Sequence, residues 1–173
     1  NVGDTNCTTN HVTIVPDTCL YTANMNDTNI VTGAYAGSKM RTTNLDTAKT
    51  TINNAFGSAH ILNNRILLAN AVTGGTPTGF AWYDSTVELM TEHQVYGTRA
   101  FGAPANNGYS VASQDGQLAA ASLNHRIIHI KADYWLQDIF SEITFTRVSY
   151  YGFSGTYGAS GVLGVRPAFS IIG

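Results

Sequence analysis

The residues able to do chemistry are few in this chain, and their spacing sets what each could do. His125-Arg126-Ile127-Ile128-His129 holds two imidazoles four residues apart, a separation that puts both on one face of a helix or strand and suits two zinc ligands. No third ligand lies close by in sequence, and two structural histidines account for the motif as well. Asp84, Glu88 and Glu92 repeat at the same interval. Two carboxylates at a suitable separation are the machinery of a glycosidase, and this spacing makes the three neighbours on a helix, where solvated surface charges are the plainer reading. Asp133, Asp138 and Glu142 could offer oxygens to calcium, but no EF-hand loop is spelled out. A Gly-x-Ser-x-Gly elbow is absent; Gly152-Phe153-Ser154-Gly155 comes near it but lies in a glycine-rich turn region with no helix pattern after it. Cys7 and Cys19 match no zinc spacing and form either a small disulfide loop or two free thiols, the latter if the protein assembles in bacterial cytoplasm. Asn6-Cys7-Thr8 and Asn26-Asp27-Thr28 match the glycosylation sequon, which matters only in a eukaryotic secretory setting. The expectation is a chain that is not an enzyme and holds no metal or cofactor.

The aromatic residues are more informative. Tyr150, Tyr151, Phe153 and Tyr157 crowd a short segment rich in glycine and serine. Tyrosine gives a large amphipathic contact area at low entropic cost, and small residues let the backbone adapt, so this mixture suits a binding surface. Alternation predicts that Phe145 and Val148 face the core while some of the tyrosines stay accessible.

The elements that must position these groups follow from hydrophobic period and punctuation. Residues 1–10 read as a linker or the end of a preceding segment, and 11–173 as a single domain. His11 to Val15 is a β-branched strand ended by Pro16. Leu45, Ala48, Ile52, Ala55 and Phe56 recur at helical spacing, predicting a helix from about Asn44 to Phe56, capped by Thr43 or Asn44 and stopped by Gly57. Ile61-Leu62 is compatible with a strand and Arg65 to Asn70 with another short helix; Gly74 to Gly79 reads as a loop and Phe80 to Tyr83 as a strand. Val87 to Tyr96 is open between helix and strand, and Gly102 to Gly116 reads as irregular and exposed. Strands are expected at Ile127 to Ile130, at Tyr134-Trp135-Leu136 and from Phe145 to Tyr151. Glycines at 152, 155, 158, 161 and 164 mark tight turns between further short strands, and Val165 to Ile172 closes the chain with Pro167 at an edge or bulge. A helix or two followed by many short strands is an α+β pattern.

Composition narrows the function classes. Hydrophobic residues make up 43% of the chain and charged residues only 12%, about half the ~25% of ordinary domains. Thr, Asn, Ser, Gly and Tyr supply a polar but electrostatically quiet surface, which suits virion parts, adhesins and secreted β-proteins better than cytosolic enzymes. A net charge of −2 without any Lys/Arg run argues against nucleic acid. No stretch approaches the ~18 apolar residues of a membrane span, so no membrane insertion is expected.

Tyr134-Trp135-Leu136-Gln137-Asp138, about two dozen turn-rich residues, and then Gly164-Val165-Arg166-Pro167-Ala168-Phe169-Ser170-Ile171 resemble the C-terminal signature of C-type-lectin-like domains. These are the kind shared by relatives of formylglycine-generating enzymes and by phage and bacterial display proteins. Upstream, Tyr21-Thr22-Ala23-Asn24-Met25-Asn26, Gly33-Ala34-Tyr35-Ala36-Gly37-Ser38, Thr43-Asn44-Leu45, Ala55-Phe56-Gly57, Ala81-Trp82-Tyr83-Asp84-Ser85 and Val95-Tyr96-Gly97 are similar to segments of structural proteins from phages and prophages of Gram-positive bacteria. The resemblance implies one C-type-lectin-like domain at the tip of a phage fibre or appendage, on the virion surface, or alternatively on a bacterial cell surface. It implies binding to a host cell-surface receptor, glycan or protein, contact with other virion proteins, and symmetric repetition, a homotrimer being favoured. The variable surface would draw on Arg147, Ser149, Tyr150, Tyr151, Phe153 and Tyr157, with Trp135 and Arg166 as scaffold. Two departures bound the likeness. Both cysteines lie before residue 20, so formylglycine-generating chemistry is not implied. Glu-Pro-Asn, Gln-Pro-Asp and Trp-Asn-Asp are all absent, so calcium-mediated sugar binding is not implied either.

Overall fold

His11-Val12-Thr13-Ile14 forms β1 (His11–Ile14), and its partner comes from the other end of the sequence: β1 pairs antiparallel with β10 (Pro167–Ile172), from His11 opposite Ile172 to Ile14 opposite Phe169. The computed structural model describes residues 9–102 and 117–173. The far edge of β10 pairs antiparallel with β5 (Val87–Leu89), giving a three-stranded sheet in the order β1-β10-β5. A five-stranded sheet runs β2-β9-β6-β7-β8, built from β2 (Tyr21–Asn24), β9 (Val162–Val165), β6 (Tyr134–Ile139), β7 (Thr144–Val148) and β8 (Ser154–Gly158). Its pairings are antiparallel except β6 beside β9, which meet in parallel at Tyr134 and Gly164. The third sheet is a long hairpin of β3 (Asn64–Thr73) and β4 (Thr76–Ser85). With one main helix in the first half and mostly antiparallel sheets, the fold is α+β.

That helix, α1 (Leu45–Phe56), buries Leu45, Ala48 and Ile52 on one face. The expected cap at Thr43 or Asn44 is not what starts it. A π-helical turn over Met40–Asn44 leads directly into it, and Asn44 has helical φ −68° and ψ −32° with its amide donating to the Asn24 carbonyl at 2.8 Å instead. Gly57 ends the helix at φ 81°.

Four further expectations are corrected. Arg65 to Asn70 is part of β3, not a helix, because the apolar run finds a partner of equal length in β4, with Leu67 opposite Trp82 and Ala69 opposite Phe80. The loop expected over Gly74 to Gly79 shrinks to Gly74-Gly75, with φ of 59° and 76°, since two residues with positive φ are enough for a tight hairpin turn. Ile127 to Ile130 is not a strand: His125–Ile127 is a 3₁₀ turn whose start is fixed by the Asn124 side chain accepting from the Arg126 N–H at 3.1 Å. Val87 to Tyr96 resolves into β5 and α2 (Glu92–Tyr96), with a reciprocal capping box between Thr91 and Gln94 and a left-handed Gly97 at its end. A last short helix, α3 (Ala119–Leu123), follows. Pro167 sits at neither an edge nor a bulge but at the first position of β10, the middle strand of its sheet, where a residue without an N–H is tolerated. Of the expected irregular segment from Gly102 to Gly116, all but Gly102 lies outside the described residues, as does most of the expected linker.

The five-stranded sheet is covered on both faces. Trp135, Phe145 and Val165, all at 0% exposure, belong to the larger core with Leu45, Ala48 and Ile52 of α1. Tyr134, Leu136 and Val148 belong to a second core with Val95 of α2, Ala121 of α3 and Ile128. Each such apolar side chain contributes roughly 1.5–3 kcal/mol on burial, so β6 and β7 are held from two sides. The connection between β7 and β8 is thereby presented at the edge of a rigid sheet.

Candidate functional site

β7 and β8 pair residue by residue, from Thr144 opposite Gly158 to Val148 opposite Ser154, and the turn between them is Ser149 to Gly152. The Ser149 N–H donates to the Phe153 carbonyl at 2.8 Å, the Gly152 N–H to the Ser149 carbonyl at 2.8 Å, and the Phe153 N–H to the Ser149 hydroxyl at 3.1 Å. Ser149, one of the expected surface residues, therefore shapes the turn. Gly152 has φ 82°, and a Cβ there would also lie 3.1 Å from the His129 Cβ, so both conformation and space select glycine.

Two anchors fix the turn from outside. Asp133 accepts the Tyr150 N–H at 2.6 Å and pairs with Arg147 Nη1 at 2.6 Å. Tyr96 of α2 donates its hydroxyl to the Gly152 carbonyl at 2.9 Å, and burial raises that phenol well above its ordinary pKa.

On this frame Tyr150, Tyr151, Phe153 and Tyr157 are 48%, 70%, 71% and 46% exposed. Tyr150 and Tyr151 meet edge to face, with ring centroids 5.2 Å apart, and His129 stands 6.5 Å from Tyr150 on its other side. Arg147 lies 5.5 Å over the Tyr157 ring, which in turn packs 6.1 Å from buried Trp135. All six residues singled out in the sequence thus lie on one hairpin. Arg147 and Ser149 are engaged in holding it, while Tyr151 and Phe153 are its most exposed members.

Trp135 and Arg166 lie beneath. The Trp135 indole donates to the Ala23 carbonyl at 2.8 Å. Arg166, 1% exposed, donates to the carbonyls of Pro16 and Ile127, both at 2.7 Å, and to the Tyr134 hydroxyl at 3.2 Å. Burial pushes the Tyr134 phenol up to about 12, with Arg166 opposing the shift.

The carboxylates are distributed differently from the expectation. Asp84, Glu88 and Glu92 do not share a helix but fall on β4, β5 and α2, because the chain turns twice between them. Asp84 is exposed beside Arg65 at 3.9 Å. Glu88 accepts from the Tyr35 hydroxyl at 2.6 Å, Arg41 Nε at 2.8 Å and the Ser85 hydroxyl at 2.6 Å. Glu92 is fully buried and accepts from the Gly102 and Phe101 N–H groups at 2.7 and 3.1 Å and from the Ser154 hydroxyl at the start of β8. Its own N–H donates to Asp138 Oδ2 at 2.5 Å, and Arg99 Nε meets Asp138 Oδ1 at 2.9 Å. Burial raises the Asp138 carboxyl above the usual carboxylate range, with Arg99 opposing. Sequence reasoning missed this latch between α2 and the hairpin; the available signal was the capping-box spelling Thr91-Glu92-His93-Gln94.

Asp133, Asp138 and Glu142 each serve separate contacts, Glu142 accepting from the Gly74 N–H at 3.1 Å. His125 and His129 are both exposed, one in the 3₁₀ turn and one beside Tyr150. Among the described residues no three or more His, Cys, Asp or Glu side chains are grouped to hold a metal ion. Cys19 is a half-buried thiol whose pKa burial raises, while Cys7 lies outside the described residues. No helix among the described residues is long and apolar enough to cross a membrane. Comparison with protein-family models, with curated proteins and with solved structures finds no match for this chain.

Proposed function

We propose that this chain is a non-enzymatic recognition domain with a C-type-lectin-like fold, carried at the tip of a phage fibre or appendage, that binds a host cell-surface receptor through the β7–β8 hairpin. The observation that carries the reading is that four half- to well-exposed aromatic residues, Tyr150, Tyr151, Phe153 and Tyr157, lie on one hairpin whose backbone is held by Asp133 and Tyr96 and whose Ser154 hydroxyl is held by Glu92. Several large rings exposed on one hairpin suit a binding surface, and a fixed backbone lowers the ordering cost of binding. The engagement of Glu88 and Glu92 by donors within the protein supports binding over carboxylate-based glycan hydrolysis. In a homotrimer three copies of the hairpin would face one cell surface, and weak contacts would gain strength through effective concentration.

The test is binding of labelled chain to a panel of intact Gram-positive cells. Replacing Tyr150, Tyr151 and Tyr157 together by alanine, with folding checked by circular dichroism, is expected to abolish it; retained binding by a folded variant sinks the reading.

A second reading, a decoration or baseplate module that contacts only other virion proteins, has its own observation. At the opposite end of β7, Ile30 and Ile143 are 56% and 52% exposed around a shared depression. Phe101 and Phe140 form another exposed pair, 5.9 Å apart. Under the first reading these apolar groups are where the domain meets its own virion.

A further inference from the structure

β8 (Ser154–Gly158) is an outer strand of the five-stranded sheet, with β7 on one side and, among the described residues, no strand on the other. Its pairing fixes which groups that open edge presents. The Phe153 carbonyl accepts the Ser149 N–H, and the Ala159 N–H donates to the Ile143 carbonyl, so both residues turn their backbone groups toward β7. These groups alternate along an antiparallel ladder, so Gly155 and Tyr157 do the same, while Ser154, Thr156 and Gly158 turn theirs outward. The Thr156 carbonyl lies 3.4 Å from Arg147 Nε, and the Gly158 carbonyl accepts the Gly161 N–H at 2.9 Å. A carbonyl has two lone pairs, so each can accept once more, and the three outward N–H groups meet no acceptor among the described residues.

Sheet edges are ordinarily blunted by a charge, a proline, a bulge or a covering group. On β2, the opposite outer strand, the Ala23 and Asn24 carbonyls are taken by the Trp135 indole and the Asn44 amide. β8 reads Ser154-Gly155-Thr156-Tyr157-Gly158, without a charge or a proline, and it follows β7 with no shift of register.

The order of these residues selects the strand that fits them. Laid antiparallel on a second copy of itself about Thr156, β8 sets Thr156 against Thr156, Ser154 against Gly158 and Tyr157 against Gly155. The outward N–H and C=O groups then meet in exchanged pairs, and two threonines face each other, a favourable cross-strand contact. Each Tyr157 ring, 46% exposed, falls opposite a residue with no side chain. Arg147 Nε stands 3.7 Å from where a Cβ on Gly155 would be, so the incoming ring meets a guanidinium already balanced by Asp133. The register sets no like charges together within β8. We propose that two copies of this chain join antiparallel through β8, about a two-fold axis at Thr156, into one continuous sheet. The pair is a dimer and does not itself generate the homotrimer implied by the resemblance. It does not depend on what the aromatic hairpin binds.

The experiment is sedimentation velocity on the full chain over a wide concentration range, which is expected to show a reversible monomer–dimer equilibrium. Thr156→Pro removes an N–H that β7 does not use, a substitution an edge strand tolerates, and is expected to raise the dissociation constant at least tenfold. Thr156→Lys and Thr156→Glu each place like charges opposite one another across the axis. Each is expected to be monomeric alone at low salt, and the two are expected to pair when mixed. A monomer at every concentration, a trimer, a dimer unaffected by Thr156→Pro, or a dimer lost in an Ile30→Ser, Ile143→Ser variant would each overturn the proposal. If Thr156→Pro does not fold, the mixture of the Lys and Glu variants decides, and its failure to pair overturns the proposal.

Discussion

A buried guanidinium costs free energy unless its donors are met, and Arg166 shows how one residue ties distant parts of the chain together. Its donors reach Pro16, Ile127 and Tyr134, so removing them takes a donor from two carbonyls in the interior and leaves the Tyr134 hydroxyl only its own bond to the Ile128 carbonyl at 3.1 Å. Arg166→Leu is expected to lower stability by about 2–4 kcal/mol, read as a shift in the urea midpoint at unchanged slope. Tyr134 makes the same region sensitive to alkali. Its phenol ionises near ~10 in the unfolded chain and at about 12 in the folded one. The folded state therefore holds the proton more tightly, and stability present below pH ~10 falls as pH rises from there to about 12, by on the order of 2–3 kcal/mol. Tyr35 and Tyr96 are shifted in the same direction and add to the fall. Thermal unfolding followed between pH 8 and 12 is expected to show this decline, and Tyr134→Phe to make it shallower. Trp135 and Arg166 were named in advance as scaffold only through the resemblance of the chain's C-terminal segment; the structure buries both, Trp135 in β6 and Arg166 between β9 and β10. Glu92 was not legible: a carboxylate four residues from another reads as a solvated face, and only the fold brings the Phe101, Gly102 and Ser154 donors around it.

Among the elements, the β7–β8 hairpin and α2 act as a pair. Tyr96 and Glu92 reach from α2 to Gly152 and Ser154, on either side of Phe153. Glu92→Gln keeps one acceptor oxygen but puts an amide where a second was used, and is expected to cost about 1–3 kcal/mol. Hydrogen exchange should report the loss as faster exchange at the Phe101 and Gly102 amides, with β1 and β10 unaffected. Gly152→Ala places a Cβ against His129 at positive φ and is expected to destabilise by about 1–2 kcal/mol. Elements with a clear period or punctuation were readable in advance, as α1 shows with its apolar face and Gly57. The β3 run was not, since Arg65-Ile66-Leu67-Leu68-Ala69-Asn70 is apolar on both parities and becomes a strand only because β4 lies across a two-residue turn. The segment after Asn124 failed for a local reason, a side-chain acceptor that closes a 3₁₀ turn before any strand can form.

For the molecule as a whole, the antiparallel β1–β10 pair brings the first and last described strands together, while β7 spans the distance between two contrasting surfaces. One end carries the aromatic hairpin and the other the Ile30 and Ile143 patch. The account assigns host recognition to the first and virion contact to the second, and a single comparison tests that assignment most directly. Binding to Gram-positive cells would be quantified for the unmodified chain, for the triple alanine variant of Tyr150, Tyr151 and Tyr157, and for an Ile30→Ser, Ile143→Ser variant, all with matched unfolding temperatures. The account predicts at least a tenfold loss of cell binding in the tyrosine variant and none in the isoleucine variant. Full binding by the tyrosine variant together with loss in the isoleucine variant would contradict it.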